Sequence, residues 1–222
     1  MIFRTRDLFV RQRTQTINAL RAHLAEHGLI APQGLSNLAG IQRVVDEGTA
    51  DLEPLIAETA RIYLEQINDL SSRIAKMEAT LKQEADRSDA SSRMMTMPGL
   101  GPITAMAIEA FAPTLSVFKR SRDFAAWLGL VPRQHSTGGK QILGRTSKMG
   151  QRDIRRLLII GAMSVIRWAT RKGTIQGTWL HAMLLRKPRK VVAIALANKM
   201  ARALWAMDKR KEDYRDQRLA AA

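Results

Sequence analysis

The chain of 222 residues contains no cysteine. That excludes disulfides, thiolate metal sites and a cysteine nucleophile, and it fits a reducing compartment. Aromatic residues make up 5% of the chain, and no uninterrupted apolar run is long enough to span a bilayer. The first residues, Met1-Ile2-Phe3-Arg4-Thr5-Arg6-Asp7, lack the apolar core of a signal peptide. The expectation is a soluble, cytoplasmic protein with no membrane partner. Acid is scarce in one half only. Residues 1–93 hold 12 Lys/Arg against 13 Asp/Glu, whereas residues 94–222 hold 24 against 7, giving a net of −1 and +17 within the total of +16. Between Asp123 and Asp153 there is no carboxylate at all.

A neutral half joined to a strongly basic half predicts a scaffold and a polyanion-binding surface. Nucleic acid is favoured over an anionic membrane, because no basic amphipathic helix with aromatic anchors stands out. Hydrophobic residues make up 45%, enough for a packed core.

Periodicity predicts an all-α fold: a helical arm over residues 1–93 and a compact basic helical domain over 94–222. Residues 5–26 read as a helix whose inner face carries Leu8, Phe9, Ile17, Leu20 and Leu24, with Gly28 as its stop. A short helix is predicted near 38–45. From residue 51 to about 88 the apolar positions Tyr63, Ile67, Leu70, Ile74, Met77 and Leu81 follow spacings of 4, 3, 4, 3, 4, the a/d alternation of a coiled coil. One helix cannot bury that seam on itself, so a helical hairpin or a second chain is expected.

Residues 94–110 contain Pro98-Gly99-Leu100-Gly101-Pro102, which fits a helix-hairpin-helix-like turn between a helix ending near Met95 and one opening at Pro102. Gly99 and Gly101 there are candidate phosphate contacts through free amides; a tight turn without a ligand is the alternative. Lys119 and Arg120 precede a short helix with Ser121 as its expected cap and Phe124, Trp127 and Leu128 inward. Residues 133–152 are glycine-rich and basic, with Arg133, Lys140, Arg145, Lys148 and Arg152 as candidate phosphate contacts; the one strand expected is 141–143. Ser136 and Thr137 lie in this loop beside His135. Their hydroxyls suit local turn chemistry before Gly138-Gly139. They also suit nucleophilic attack on phosphate, with cations compensating the developing charge. A long helix from Arg152 to about Arg171 is predicted to bury Ile154, Leu157, Leu158, Gly161, Ala162, Val165 and Trp168, leaving Arg155, Arg156 and Arg167 for solvent or phosphate. Two more helices, 179–185 and 191–207, precede a charged tail expected to fray from Lys209.

Four segments in order carry a family resemblance. They are Arg4-Thr5-Arg6-Asp7-Leu8 with Arg11-Gln12-Arg13-Thr14-Gln15 and Asn18-Ala19-Leu20-Arg21; Pro98-Gly99-Leu100-Gly101-Pro102-Ile103-Thr104-Ala105; Leu128-Gly129-Leu130-Val131-Pro132-Arg133-Gln134-His135-Ser136-Thr137-Gly138-Gly139-Lys140; and Gly144-Arg145-Thr146-Ser147-Lys148-Met149-Gly150 with Asp153-Ile154-Arg155-Arg156. In these the chain resembles the insertion-sequence "one-ten" transposases, relatives of the Piv/MooV DNA invertases. The resemblance implies DNA transposition by strand cleavage and exchange, DNA as partner, a guide RNA encoded by the element, and active sites shared between subunits. It implies Ser136 as nucleophile, with Thr137 the neighbouring alternative. It also implies a magnesium site of Asp/Glu carboxylates in a RuvC-like domain ahead of the Arg4 segment; that segment begins at residue 4, so no metal ligand or other cofactor is expected in this chain. The expectation is a truncated transposase needing a full-length partner or a second copy. The alternative is a non-catalytic nucleic-acid-binding and oligomerisation module.

Overall fold

The computed structural model describes residues 1–48, 52–140, 142–173 and 177–215. The described residues are overwhelmingly helical, with a single small antiparallel sheet. The all-α expectation therefore holds for the fold, and the one exception lies where the chemistry is expected. The chain divides into two compact units, residues 1–80 and 81–222, with the division inside one long helix.

The first unit comprises α1 (Ile2–Glu26), a 3-10 turn at Leu35–Asn37, α2 (Leu38–Glu47) and most of α3 (Pro54–Arg87). Arg6 of α1 pairs with Glu78 of α3, and the Arg13 guanidinium donates to the Ser71 hydroxyl at 3.2 Å. As the α1 number rises the α3 number falls, so the two helices run antiparallel as a hairpin. Ile17, Leu20 and Leu24 of α1 meet Leu38, Ile41 and Val45 of α2 and Ala60, Leu64 and Ile67 of α3 in one core. Leu8, predicted on the inner face of α1, is 43% exposed. The buried apolar positions of α3 are Ala60, Leu64, Ile67, Leu70, Ile74, Leu81 and Ala85, so Leu64 takes the inner position that the spacing assigned to Tyr63.

The second unit contains α4 (Asp89–Met95), α5 (Pro102–Phe111), a 3-10 turn at Leu115–Val117, α6 (Ser121–Trp127), β1 (Pro132–Gln134), β2 (Leu143–Thr146), α7 (Arg152–Lys172), α8 (Trp179–Arg186) and α9 (Arg189–Arg210). Its core is α7 packed on α9 through small residues. Gly161 and Ala162 of α7, and Ala193, Ala197 and Ala201 of α9, let the two helices approach closely, while Phe124, Leu128, Ile154, Leu158, Ile166 and Leu204 fill the space around them. Trp168, predicted in the buried stripe of α7, is 62% exposed; Ile166 and Ala169 occupy the inner positions there. Residues 174–176, within the predicted break after α7, lie outside the described residues.

Helix ends follow local chemistry. α4 starts at Ser88, whose hydroxyl accepts from the Ser91 amide at 3.2 Å, and the Ser88 and Ser91 hydroxyls both donate to Glu109 of α5 at 2.6 Å. α4 thus ends at Met95 and α5 opens at Pro102, as the sequence predicts. The α6 cap is Arg120, one residue before the predicted Ser121: the Arg120 amide donates to Asp123 Oδ2 at 3.0 Å. The tail is held further than expected. α9 continues to Arg210, and the Tyr214 amide donates to Thr96 Oγ1 at 2.8 Å.

Candidate nucleic-acid interface

The glycine-rich segment of 133–152 folds as a hairpin. β1 and β2 pair antiparallel with Pro132 opposite Thr146 and Gln134 opposite Leu143, and the register shifts by one residue between the two pairs. The pairing continues toward the tip, where the His135 amide donates to the Ile142 carbonyl at 2.9 Å and Thr137 bridges Lys140. Gly138 and Gly139 form the two-residue turn with φ of 57° and 77°. Positive φ at both central positions is the signature of a type I′ turn, whose twist matches that of the strands it joins. Where composition pointed to a glycine-rich loop, these glycines are the tip of a defined ribbon. The predicted strand began at Gln141, which lies outside the described residues, and the observed strand is Leu143–Thr146.

Because side chains alternate across a strand, this register sorts the tip into two faces. Gln134, Ser136 and Leu143 share one face. Arg133, His135, Thr137, Lys140, Ile142 and Gly144 share the other. The His135 ring lies over Gly144, where an added Cβ would stand 2.8 Å from the imidazole. His135 therefore faces away from Ser136 despite adjacency, and Thr137 is the hydroxyl on the imidazole's side. Ser136, Thr137, Arg133, Lys140, Arg145 and Lys148 are all exposed.

The hairpin springs from an interlocked root. Gly129 (φ 70°) and Gly150 (φ 95°) pass so close that a Cβ on Gly129 would lie 1.9 Å from the Met149 carbonyl oxygen, and one on Gly150 1.9 Å from that of Trp127. The Ser147 amide donates to the Val131 carbonyl at 2.8 Å, and Gln151 to Trp127 at 3.3 Å. Asn198 of α9 donates to the Leu130 carbonyl at 3.2 Å. Trp205 of α9 donates from Nε1 to the Phe118 carbonyl at 2.9 Å, steadying the Phe118–Phe124–Trp127 aromatic cluster beneath α6. Arg155 closes the root: its Nη1 donates to the Leu128 carbonyl at 3.0 Å and to the Met149 carbonyl at 3.4 Å. Burial, then the charge of Arg152, lowers the Arg155 pKa from the ordinary arginine value. Its guanidinium is committed to two backbone carbonyls.

The candidate phosphate contacts therefore fall into groups. Arg133, Lys140, Arg145 and Lys148 ride on the hairpin, with Arg133 also donating to the Ser147 carbonyl at 3.4 Å and Lys148 held in the left-handed region at φ 54°. Arg152, Arg155 and Arg156 lie in the first turns of α7, and Lys119 and Arg120 immediately precede α6. Gly99 stands elsewhere. Its backbone (φ 82°) presses on α7, where an added Cβ would lie 2.6 Å from the Gly161 carbonyl oxygen, while a Cβ at Gly101 would meet open space. The Gly99 turn is thus shaped by close packing on a helix. Among the described residues no cluster of three His, Cys, Asp or Glu is placed to hold a metal ion, and no helix is long and apolar enough to cross a membrane. Sequence reasoning missed Asn198, Trp205 and the clamp role of Arg155, since each acts on a carbonyl that only the fold brings near.

Fold and site together define a class: a helical domain that projects a carboxylate-free basic β-ribbon with hydroxyls at its tip. Comparison with known proteins narrows it. Residues 91–175, which include the ribbon and the Gly99 turn, match the model of the transposase IS116/IS110/IS902 family. The chain is 41% identical to a Pseudomonas aeruginosa protein described as "Probable family 20 transposase", over 96% of this chain and 63% of that one. It is 33% identical to the transposase for insertion sequence element IS1111A of Coxiella burnetii (96% of this chain, 59% of that one) and 34% to the transposase for IS1328 of Yersinia enterocolitica (93% and 61%). The chain spans about three-fifths of the length of these curated relatives.

Proposed function

We propose that this chain supplies the strand-joining part of a DNA transposase, with Ser136 as the nucleophile that cleaves and exchanges DNA strands. The observation that carries this reading is the exposed Ser136 at the tip of a ribbon rooted firmly in the region that matches the transposase family. In the proposed step Ser136 Oγ attacks a DNA phosphorus. A bond from oxygen to phosphorus forms, the bond from phosphorus to one deoxyribose oxygen breaks, and the leaving oxygen takes a proton as Ser136 gives one up. Arg133, Lys140, Arg145 and Lys148 offset the charge that develops on the phosphate. The imidazole of His135, packed over Gly144, is turned away from Ser136, so the proton acceptor comes from another chain or domain. Accordingly we propose that the site is completed by a second subunit or a longer transposase carrying a magnesium-binding carboxylate cluster, and that a guide RNA selects the target. Thr137 shares the face of His135 and is the competing nucleophile.

The test is denaturant-resistant attachment to labelled element-end DNA, with magnesium and a full-length relative supplied, for wild type, Ser136→Ala and Thr137→Ala. Loss of the adduct in Ser136→Ala alone supports the assignment; loss in Thr137→Ala alone transfers it to the neighbour. The orientation of His135 also favours a second reading for the chain by itself, a nucleic-acid-binding module without chemistry. That reading requires salt-dependent DNA binding identical in wild type and Ser136→Ala, with no adduct from any mixture.

A further inference from the structure

The outward side of α7 has properties that neither its helical role nor the hairpin accounts for. Its inner side is fixed on the core by Ile154, Leu158, Gly161, Ala162, Ile166 and Ala169. On the opposite side Arg152, Arg156, Ile160, Ser164, Arg167, Trp168 and Arg171 are all exposed. Two of these are large and apolar, Ile160 at 57% and Trp168 at 62% exposure. Lys172, one turn on, holds its ammonium 5.2 Å from the centre of the Trp168 ring.

Charge patterning separates this face from α1 and α3. On α1 and α3 exposed arginines are interleaved with acids and pair with them one turn away, Arg11 with Asp7, Arg73 with Asp69 and Arg87 with Glu84. On α7 the sole acid is Asp153 in the first turn, and Arg167 and Arg171 stand at i, i+4, an arrangement that repels in an isolated helix. A surface that keeps like charges adjacent is relieved by a polyanion. An exposed indole beside cations adds a requirement: a flat partner that can stack while its backbone meets the guanidinium groups. A duplex buries its base faces, whereas an unpaired strand presents both features together.

We infer that the outward face of α7 binds an unpaired segment of DNA, one base stacking on Trp168 and its flanking phosphates held by Arg167, Arg171 and Lys172. This inference rests on the proposal that the hairpin handles DNA. α7 begins where the hairpin ends, and the face runs about 28 Å from Arg152 to Arg171 at 1.5 Å per residue. A strand opened at the hairpin can therefore be held along it.

The experiment measures binding of the full chain to a labelled 15-mer of thymidylate, to a duplex of equal length and to a 15-mer of uridylate RNA, across a salt series. For Trp168→Ala we expect about tenfold weaker binding of the thymidylate 15-mer, the duplex changing by less than about twofold, and Trp168→Phe retaining most of the affinity. Arg167→Ala with Arg171→Ala is expected to flatten the salt slope for the single strand by about 1.4. Trp168→Ala binding the thymidylate strand like wild type overturns the inference, as does equal loss on duplex. A Trp168-dependent preference for the RNA overturns the choice of DNA. The Ser136→Ala adduct is scored separately, in the attachment assay, so a failure of the nucleophile assignment leaves a distinct signature from a failure here.

Discussion

Gly99 and Gly161 touch backbone to backbone: a Cβ added to Gly161 would stand 2.0 Å from the Gly99 carbonyl oxygen, and one added to Gly99 2.6 Å from the Gly161 carbonyl oxygen. The turn between α4 and α5 is seated against the middle of α7 through this contact. Neither partner is a flexible side-chain end, so neither can yield.

Gly161→Ala is expected to destabilise the domain by about 3 kcal/mol, the upper end of overpacking costs. Thermal unfolding by circular dichroism checks it, with a fall of about 6–12 °C anticipated. An Ala tolerated at position 161 would show that α5 and α7 are not held at this distance.

Gly150→Ala acts at the hairpin root, where the residue combines φ 95° with contact on the Trp127 carbonyl. We expect faster hydrogen exchange at the Ser147 and Gln151 amides, both bonded across the root, ahead of any change in the α7 and α9 amides. Uniform acceleration throughout the second unit would mean that the root and the core open as one.

Arg155→Met leaves the Leu128 and Met149 carbonyls without their donor. The expected loss is about 2 kcal/mol in denaturant unfolding, in the range for a hydrogen bond to a charged group. Arg167→Met, on the exposed side of the same helix, is expected to stay within about 0.5 kcal/mol of wild type.

At the tip, Gly138→Asn is expected to keep DNA attachment, because Asn tolerates the left-handed conformation, whereas Gly139→Val is expected to reduce it by at least about tenfold. Measured adduct yields decide. Equal yields from the two variants would show that the ribbon tip need not be formed for attachment.

Much of this fold was legible in the residues, and the exceptions have physical causes. Pro102 and the apolar spacing of α3 act within a turn or two of themselves, so the start of α5 and the long helix α3 could be read directly. The spacing of Trp168 continues the inner stripe of α7, but Ile166 and Ala169 take the buried positions on that turn and the indole stays outside. The hairpin was hidden by composition. Gly138 and Gly139 signal flexibility and a type I′ turn equally well, and strands of three and four residues carry too little alternation to separate the two. The hydroxyls and cations of the candidate site are named by residue type alone. Which of them share a face depends on strand register, and register is fixed by Thr137 bridging Lys140, a relation between residues that local propensity does not encode.

The root that holds the hairpin also makes its tip dispensable to the rest. Both strands enter the body through Gly129 and Gly150, and Asn198, Arg155 and the aromatic cluster grip the chain below that level. A protease cutting between Thr137 and Lys140 would therefore produce two fragments that stay associated and retain their helicity. The same site would accept new termini, so that the two pieces, expressed separately, could reassemble into one domain.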